Sequence, residues 1–142
     1  MKILFLMAFF VACTSEPKIG LLNKELRPCP DKPNCVSSYA SESDKEHFVS
    51  ALEASKPEEC LLKLSKDLAA QTDVDLLESK ADYAHLVYTS SLMRFKDDLE
   101  LYAPSKSKGL QIRSASRTGY SDMGVNRKRV EKIRLISNSL CK

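Results

Sequence analysis

Four short runs of β character follow one another in the middle of the chain, and they constrain its fold more than any other feature. Each run is rich in β-branched, aromatic or alternating apolar residues, and polar or turn-like pieces separate it from the next. This pattern predicts an antiparallel meander. Its strands are Val74 to Ser79, Tyr83 to Thr89, Phe95 to Ala103 and Leu110 to Ser116.

Two helical patterns flank the meander. Ser55 and Glu58 have the spacing of a capping box with proline in the first turn, and leucines then recur at helical spacing until about Gln71. A second apolar stripe runs from Val125 towards the C-terminus. Together these patterns predict an α+β fold, with a small antiparallel sheet of about four strands packed with an N-terminal and a C-terminal helix.

The third and fourth runs can be aligned through the loop that joins them. Matching their apolar faces gives the pairs Leu101–Ile112 and Glu100–Arg113. In this register Asp98 lies diagonal to Arg113 and Arg117, within reach of their long side chains. The alignment therefore predicts charged pairs on the face of the sheet opposite the apolar one.

Asp97 faces the predicted core in this register, and a buried carboxylate needs a partner. A step of 100° per residue along the last helix places Asn126 and Arg129 within its apolar stripe and Arg127 outside it. We therefore expect Arg129 to pair with Asp97. Asn126 or Asp122 is expected to satisfy backbone donors at the start of the helix.

Charge is distributed unevenly along the chain. Residues 105–142 carry ten Lys or Arg against two Asp or Glu, whereas residues 14–104 carry eleven against seventeen, so the two regions should attract each other. Four arginines fall within residues 113–129. Because a guanidinium fork suits either a carboxylate or a phosphate, two interpretations stay open: pairing with the chain's own acids, or binding of an external anion.

The N-terminus has the form of a secretion signal. Met1-Lys2 precedes ten apolar or small residues, a run too short to span a bilayer, and the residues before Cys13 resemble a bacterial lipobox with Phe10 at an unusual position. We expect a signal peptide over residues 1–12, a lipidated Cys13 with a tether over 13–27, and one α+β domain over 28–142. The expected location is the bacterial cell envelope, lipid-anchored and facing the periplasm or the exterior. A buried first helix and an unlipidated exported form are the alternatives.

Four further cysteines form an even set in a compartment that permits disulfides, and three pairings are open. A proline-rich loop between Cys29 and Cys35 favours that pair, which leaves Cys60 for Cys141 at the chain end. The spacings lack a CxxC pair, and the only histidines are two distant ones. No metal site and no cofactor are predicted.

Several of these motifs together resemble the family called domain of unknown function 1499, which occurs in bacterial envelope proteins and plant plastids. The likeness spans roughly Cys29 to Ile136. It implies one compact domain and transfers no mechanism, since no activity is established for the family. The motifs are Pro33-Asn-Cys-Val-Ser-Ser38, Asp97-Asp98, Arg113-Ser-Ala-Ser-Arg117, Gly119, Ser121-Asp122, Gly124 and Asn126-Arg-Lys-Arg129.

The first functional hypothesis is a lipid-anchored module that binds an anionic ligand or an acidic envelope partner near the loop before the last helix. Nucleic acid is not expected as a partner, because the predicted location is outside the cytoplasm and no aromatic residues interleave with the basic ones. The predicted ligand-binding residues are Arg113, Arg117, Ser121 and Arg127. The predicted structural network consists of Asp97, Asp98, Asn126 and Arg129.

An enzyme and a purely structural or protein-interaction lipoprotein are the alternatives. Cys35 with His47 or His85 would supply a nucleophile and a base, and serines of the 113–121 segment lie near acidic residues, but neither set has diagnostic spacing. In a structural lipoprotein, internal acids would saturate the arginines. No pocket would then lie beside them.

Overall fold

The computed structural model describes residues 17–141 as an α+β domain with eight strands and two helices. No helix within this described range is long and apolar enough to cross a membrane. The elements in chain order are β1 (Leu21–Leu22), β2 (Glu25–Leu26), β3 (Cys35–Ser37), β4 (Leu52–Glu53), α1 (Pro57–Ala69), β5 (Val74–Ser79), β6 (Tyr83–Thr89), β7 (Lys96–Tyr102), β8 (Gly109–Ser116) and α2 (Val125–Leu140).

The central sheet is larger than the four-stranded meander predicted from sequence. Its order is β3-β8-β7-β6-β5, and β4 also pairs with β8, so six strands take part, with antiparallel pairing between all neighbours. The meander β5 to β8 is present within it. The additional strands β3 and β4 are three and two residues long and pair with opposite ends of the free edge of β8.

The register between β7 and β8 is the one expected from matching apolar faces. Leu101 lies opposite Ile112, and Glu100 lies opposite Arg113. Because side chains alternate across a strand, this register sends Leu99 and Leu101 towards the helices and Asp98 and Glu100 to the other face. The position of the charged groups thus follows from the apolar pattern.

The hydrophobic core lies between the sheet and the two helices. Leu61, Leu64 and Leu68 of α1 are at most 1% exposed, and Val130 and Ile133 of α2 are at most 2% exposed. These side chains pack in one cluster with the inward leucines of β6, β7 and β8. Burying each such aliphatic side chain contributes about 1.5–3 kcal/mol, so this layer stabilises the sheet on one face.

The start of α1 differs from the predicted capping box. Lys56 occupies the N-cap without a side-chain cap hydrogen bond, and Pro57 begins the helix. Ser55 therefore lies one residue before the N-cap position, and its hydroxyl does not accept a hydrogen bond from the free backbone N–H groups of the first turn. Proline at the first helical position, which needs no donor, marks the boundary instead.

The N-terminal segment covers the opposite face of the sheet. The hairpin β1–β2 places Leu26, which is 2% exposed, in a cluster with Tyr83 and Tyr102. Residues 19–27, expected to be tether, thus include part of the folded domain, and the expected boundary at residue 28 lies too late. The predicted signal peptide and Cys13 lie outside the described residues.

Both expected disulfides are present in the structure. Cys29 is bonded to Cys35, and Cys60 to Cys141. The first bond closes a short loop that leads into β3, and the second, with a sequence separation of 81, fastens the end of α2 to α1. The loop closed by Cys29–Cys35 lies beside the candidate functional site.

Candidate functional site: a basic cleft beside a buried polar layer

The face of the sheet opposite the helices carries a layer of buried charges. Glu100 is 0% exposed, Asp98 is 2% exposed and Arg113 is 5% exposed. Buried charges are destabilising unless each is paired and hydrogen-bonded. The partners of these three side chains therefore decide whether the layer is purely structural.

Glu100 is fully supplied with donors. Its Oε1 accepts hydrogen bonds from the backbone N of Gly20 at 2.8 Å and from the hydroxyl of Tyr83 at 2.8 Å, and its Oε2 accepts one from Arg113 Nη1 at 2.8 Å. Gly20 has a φ of +91°, a conformation that favours glycine. Burial, together with the negative charge of Glu100, raises the pKa of Tyr83, so its hydroxyl stays protonated and donates.

Asp98 is held by His85 and Arg117. His85 Nε2 lies 2.7 Å from its Oδ1, and Arg117 donates to both of its oxygens, from Nη2 at 2.8 Å and from Nε at 3.0 Å. Burial alone would raise the pKa of Asp98, but the hydrogen bonds from His85 and Arg117 outweigh it, and the pKa is lowered. The hydrogen bond to Asp98 in turn raises the pKa of Arg117.

Arg113 is only partly satisfied. Its Nη1 donates to Glu100, but its Nε is enclosed without a partner, and its Nη2 makes no hydrogen bond to the described residues. The buried side-chain oxygen Oδ1 of Asn34 also lacks a partner, although Asn34 Nδ2 donates to the carbonyl of Gly119 at 2.9 Å. Unpaired buried polar atoms are rare in native proteins and point to function or to an unseen water or ion.

Arg113 and Asn34 both line a cleft of about 460 Å³, which we call the basic cleft. Its walls come from the N-terminal segment, the Cys29–Cys35 loop and the end of β8. Among its lining residues Asp98 is the only carboxylate, and that carboxylate is already paired. Five cationic side chains line it: Lys18, Arg27, Lys32, Arg113 and Arg117.

The four predicted ligand-binding residues do not share one site. Arg113 and Arg117 line the basic cleft, whereas Ser121 and Arg127 line a separate cleft of about 240 Å³. Arg127 donates to the backbone carbonyls of Lys45, Glu46 and Phe48 at 2.8–3.2 Å. The prediction of one anion site that includes both Arg117 and Arg127 is therefore wrong, because Arg127 binds α2 to residues 45–48.

The predicted network around Arg129 lies on the helix side of the sheet. Arg129 Nη2 donates to Asp97 Oδ2 at 2.6 Å, and Nη1 donates to Asn126 Oδ1 at 2.6 Å. The guanidinium carbon of Arg129 lies 4.5 Å from the ring centroid of Tyr88. Burial raises the pKa of Tyr88 to about 12, although the positive charge of Arg129 acts in the opposite direction. Asp122 accepts a hydrogen bond from the backbone N of Asn126 at 2.8 Å, as expected at a helix start.

The residues considered for catalysis have other roles in the structure. Cys35 is in a disulfide, and His47 contacts Asp44 at 2.7 Å, so these two do not form a nucleophile and base. Ser114 and Ser116 hydrogen-bond Asn126. Over residues 17–141 no group of three or more His, Cys, Asp or Glu is placed to hold a metal ion.

Sequence reasoning missed half of the cleft. Lys18 and Arg27 fall in the segment predicted to be a tether, and Lys32 and Asn34 fall in the Cys29–Cys35 loop, for which the sequence predicted a disulfide and no ligand contact. Neither segment has a periodic hydrophobic pattern that predicts a contact with the end of β8. Asn34 lies inside the Pro33–Ser38 motif, and that motif is the one sequence signal that could have indicated a site residue there.

A family model described as "Protein of unknown function (DUF1499)" matches residues 25–136. The chain belongs to this family. The matched region of the DUF1499 protein begins in β2 and ends in α2, so it includes Asn34, Asp98, Arg113 and Arg117 but not Lys18. Searches of curated proteins and of solved structures found no significant match.

Proposed function

We propose that this DUF1499 protein is a lipid-anchored protein of the bacterial cell envelope whose basic cleft binds an anionic ligand. The observation that carries the proposal is the state of Arg113. Its side chain is buried at the cleft wall, yet one guanidinium nitrogen is enclosed without a partner and another has none among residues 17–141. An anion in the cleft would supply an acceptor for Nη2, which is not enclosed.

The charge around Arg113 supports an anion rather than a neutral ligand. Glu100 neutralises Arg113, and Asp98 neutralises Arg117. The three other cations of the cleft, Lys18, Arg27 and Lys32, have no salt bridge within the described part of the chain. A concave surface with an excess of positive charge concentrates anions and increases their rate of association.

Guanidinium geometry favours a ligand with several acceptor oxygens. A planar guanidinium presents parallel N–H donors that match the oxygens of a phosphate or a carboxylate, and such charge-assisted bonds are roughly twice as strong as neutral ones. Arg113 Nη2 offers unused N–H donors at the cleft, and the exposed Lys18 and Lys32 add positive charge beside them. A phosphate ester or an acidic glycan of the cell envelope meets the requirement.

The proposed location is supported by the N-terminal sequence. The apolar run before Cys13 suits export, and a lipid on Cys13 would hold the domain at a membrane without a spanning helix. The disulfides Cys29–Cys35 and Cys60–Cys141 suit an oxidising compartment such as the periplasm or the cell exterior.

Calorimetric titration of the mature, detergent-solubilised protein tests the binding proposal. Glycerophosphoglycerol, a soluble phosphate diester, and an acidic oligosaccharide are the two probes. We expect saturable binding of at least one probe, and we expect the affinity to fall between 50 and 200 mM salt because exposed charges are screened over about 10 Å at 0.1 M.

Two charge-reversal variants locate the site. Lys18→Glu/Lys32→Glu reverses two exposed cations at the cleft, and Lys106→Glu/Lys108→Glu reverses two exposed cations of the β7–β8 loop at the other end of β8. Only the first variant should lose binding. Equal affinities for the two variants, or no binding by the wild type, would contradict the proposal.

A further inference from the structure

We infer that the ligand of the basic cleft is the headgroup of an anionic phospholipid, with the start of its acyl chains resting on the apolar rim of the cleft. This inference rests on the proposed function and specifies its ligand. Three features of the described residues support it: the size of the cleft, the separation of charge from apolar surface, and the place where the N-terminal segment enters.

The cleft is too large for a simple inorganic anion. Its volume of about 460 Å³ equals roughly 15 water molecules at about 30 Å³ each, and it lies in the range of pockets that hold organic ligands, about 300–1,000 Å³. A phosphate group alone would leave most of this space to water. The ligand must therefore carry a further group.

Apolar residues indicate the character of that further group. Ile19 and Leu22 line the cleft, and Leu22 is 46% exposed. Prolines 17, 28 and 30 add apolar surface near the exposed rim, whereas Arg113 and Asn34 are buried at the wall. A ligand with its phosphate against Arg113 and hydrocarbon over Leu22 matches this separation.

The first of the described residues lie at the rim of the cleft, close in sequence to the proposed membrane anchor. Pro17 lines the cleft, and it lies four positions after Cys13 in the sequence. A chain of four residues spans at most about 14 Å when fully extended. A lipid on Cys13 would therefore hold the rim within that distance of the membrane surface, where phospholipid headgroups are the most abundant phosphate diesters.

Native mass spectrometry of the mature, detergent-solubilised protein separates lipid binding from binding of the headgroup alone. The probes are phosphatidylglycerol, phosphatidylcholine with the same acyl chains, and glycerophosphoglycerol, which is the first headgroup without chains. We expect one phosphatidylglycerol per protein. It should bind at least tenfold more tightly than glycerophosphoglycerol, because burial of two methylenes already contributes about tenfold. It should also bind more tightly than phosphatidylcholine, because the cations of the cleft repel the cationic choline.

Two variants assign the two parts of the ligand. Leu22→Ser should lower the affinity for phosphatidylglycerol at least fivefold and leave glycerophosphoglycerol unchanged, whereas Leu77→Ser, at a 59% exposed leucine of β5, should change neither. Lys18→Glu/Lys32→Glu should weaken both anionic probes, and Lys106→Glu/Lys108→Glu should weaken neither.

The outcomes distinguish this inference from the proposed function. If glycerophosphoglycerol binds and phosphatidylglycerol binds no more tightly, the lipid inference is overturned and anion binding stands. If phosphatidylglycerol and phosphatidylcholine bind alike, and both survive the charge reversal at the cleft, the lipid adheres non-specifically and the inference is again overturned. If no probe binds, both proposals fail.

Discussion

Replacement of Glu100 by glutamine should lower the stability of the domain while raising the affinity of the cleft for anions. Glu100→Gln preserves the size of the side chain and keeps an oxygen that accepts from Gly20 and Tyr83. It removes the charge that faces Arg113 Nη1 at 2.8 Å. The positive charge of Arg113, only 5% exposed, is then uncompensated.

The expected loss of stability follows from the burial of this pair. Removal of one partner of a buried ion pair costs about 3–5 kcal/mol, and the retained hydrogen bonds place the cost near the lower end, about 3 kcal/mol. With a urea dependence of about 2 kcal/mol per M, the unfolding midpoint should fall by about 1.5 M. Glu53→Gln, the same change at an exposed glutamate of β4, should stay within about 0.5 kcal/mol of the wild type.

The expected gain in affinity follows from Coulomb's law. A phosphate on the unused side of Arg113 would lie about 7 Å from the Glu100 carboxylate, and at an effective dielectric constant of about 20 the lost repulsion is about 2 kcal/mol. The dissociation constant for glycerophosphoglycerol should therefore fall roughly 30-fold.

Urea unfolding followed by circular dichroism and calorimetric titration measure the two effects on one preparation. A midpoint equal to that of Glu53→Gln would show that the Glu100–Arg113 pair does not stabilise the fold. A lowered midpoint with unchanged affinity would show instead that Arg113 is structural and that the anion binds elsewhere.

Three further predictions concern other parts of the chain. Arg129→Ala should lower the free energy of unfolding by about 2–4 kcal/mol, because it removes a largely buried ion pair and a cation–π contact. Lys128→Ala, at an exposed neighbour, should change the free energy of unfolding by less than about 0.5 kcal/mol. Equal urea midpoints for the two variants would refute the role of the pair. Burial lowers the pKa of His47, but the hydrogen bonds to Asp44 and to the carbonyl of Lys32, together with the charges of Asp44 and Glu46, outweigh burial and the pKa is raised. The pair therefore stabilises the fold below the unfolded value of about 6.5, and this contribution is lost as pH rises through the folded pKa. Asp44→Asn should lower the pKa of His47 in an NMR titration, and an unchanged value would contradict this assignment. Cys13→Ser should abolish labelling by a radioactive fatty acid and leave an unprocessed precursor, so persistent labelling would exclude lipidation at that cysteine.

The parts of the fold that were predictable from sequence are those governed by local periodicity. The alternation in β7 and β8 fixes the Leu101–Ile112 register, which sets Glu100 opposite Arg113. The helical phase of α2 likewise places Arg129 beside Asp97. In each case the apolar pattern determines where the charged groups lie, because only one register or phase buries the apolar face.

The parts that were not predictable depend on contacts between distant segments. β3 and β4 are too short to show any alternation, and they form because the edge of β8 offers unpaired backbone groups. Arg127 binds backbone carbonyls of residues 45–48, which no side-chain pattern reveals. The hairpin β1–β2 looks like a tether because its strands are two residues long.

The pairing of β3 with β8 also determines when the cleft can form during synthesis. The meander β5 to β8 forms from neighbours in sequence, whereas the hydrogen bond from Asn126 Nδ2 to the carbonyl of Asn34 joins positions 92 residues apart. Contacts of such separation form slowly, because a long loop must first be closed. During synthesis β3 emerges before β8 and has no strand to pair with, so the chain acquires the cleft only after its C-terminal third, which carries β8 and α2, has emerged.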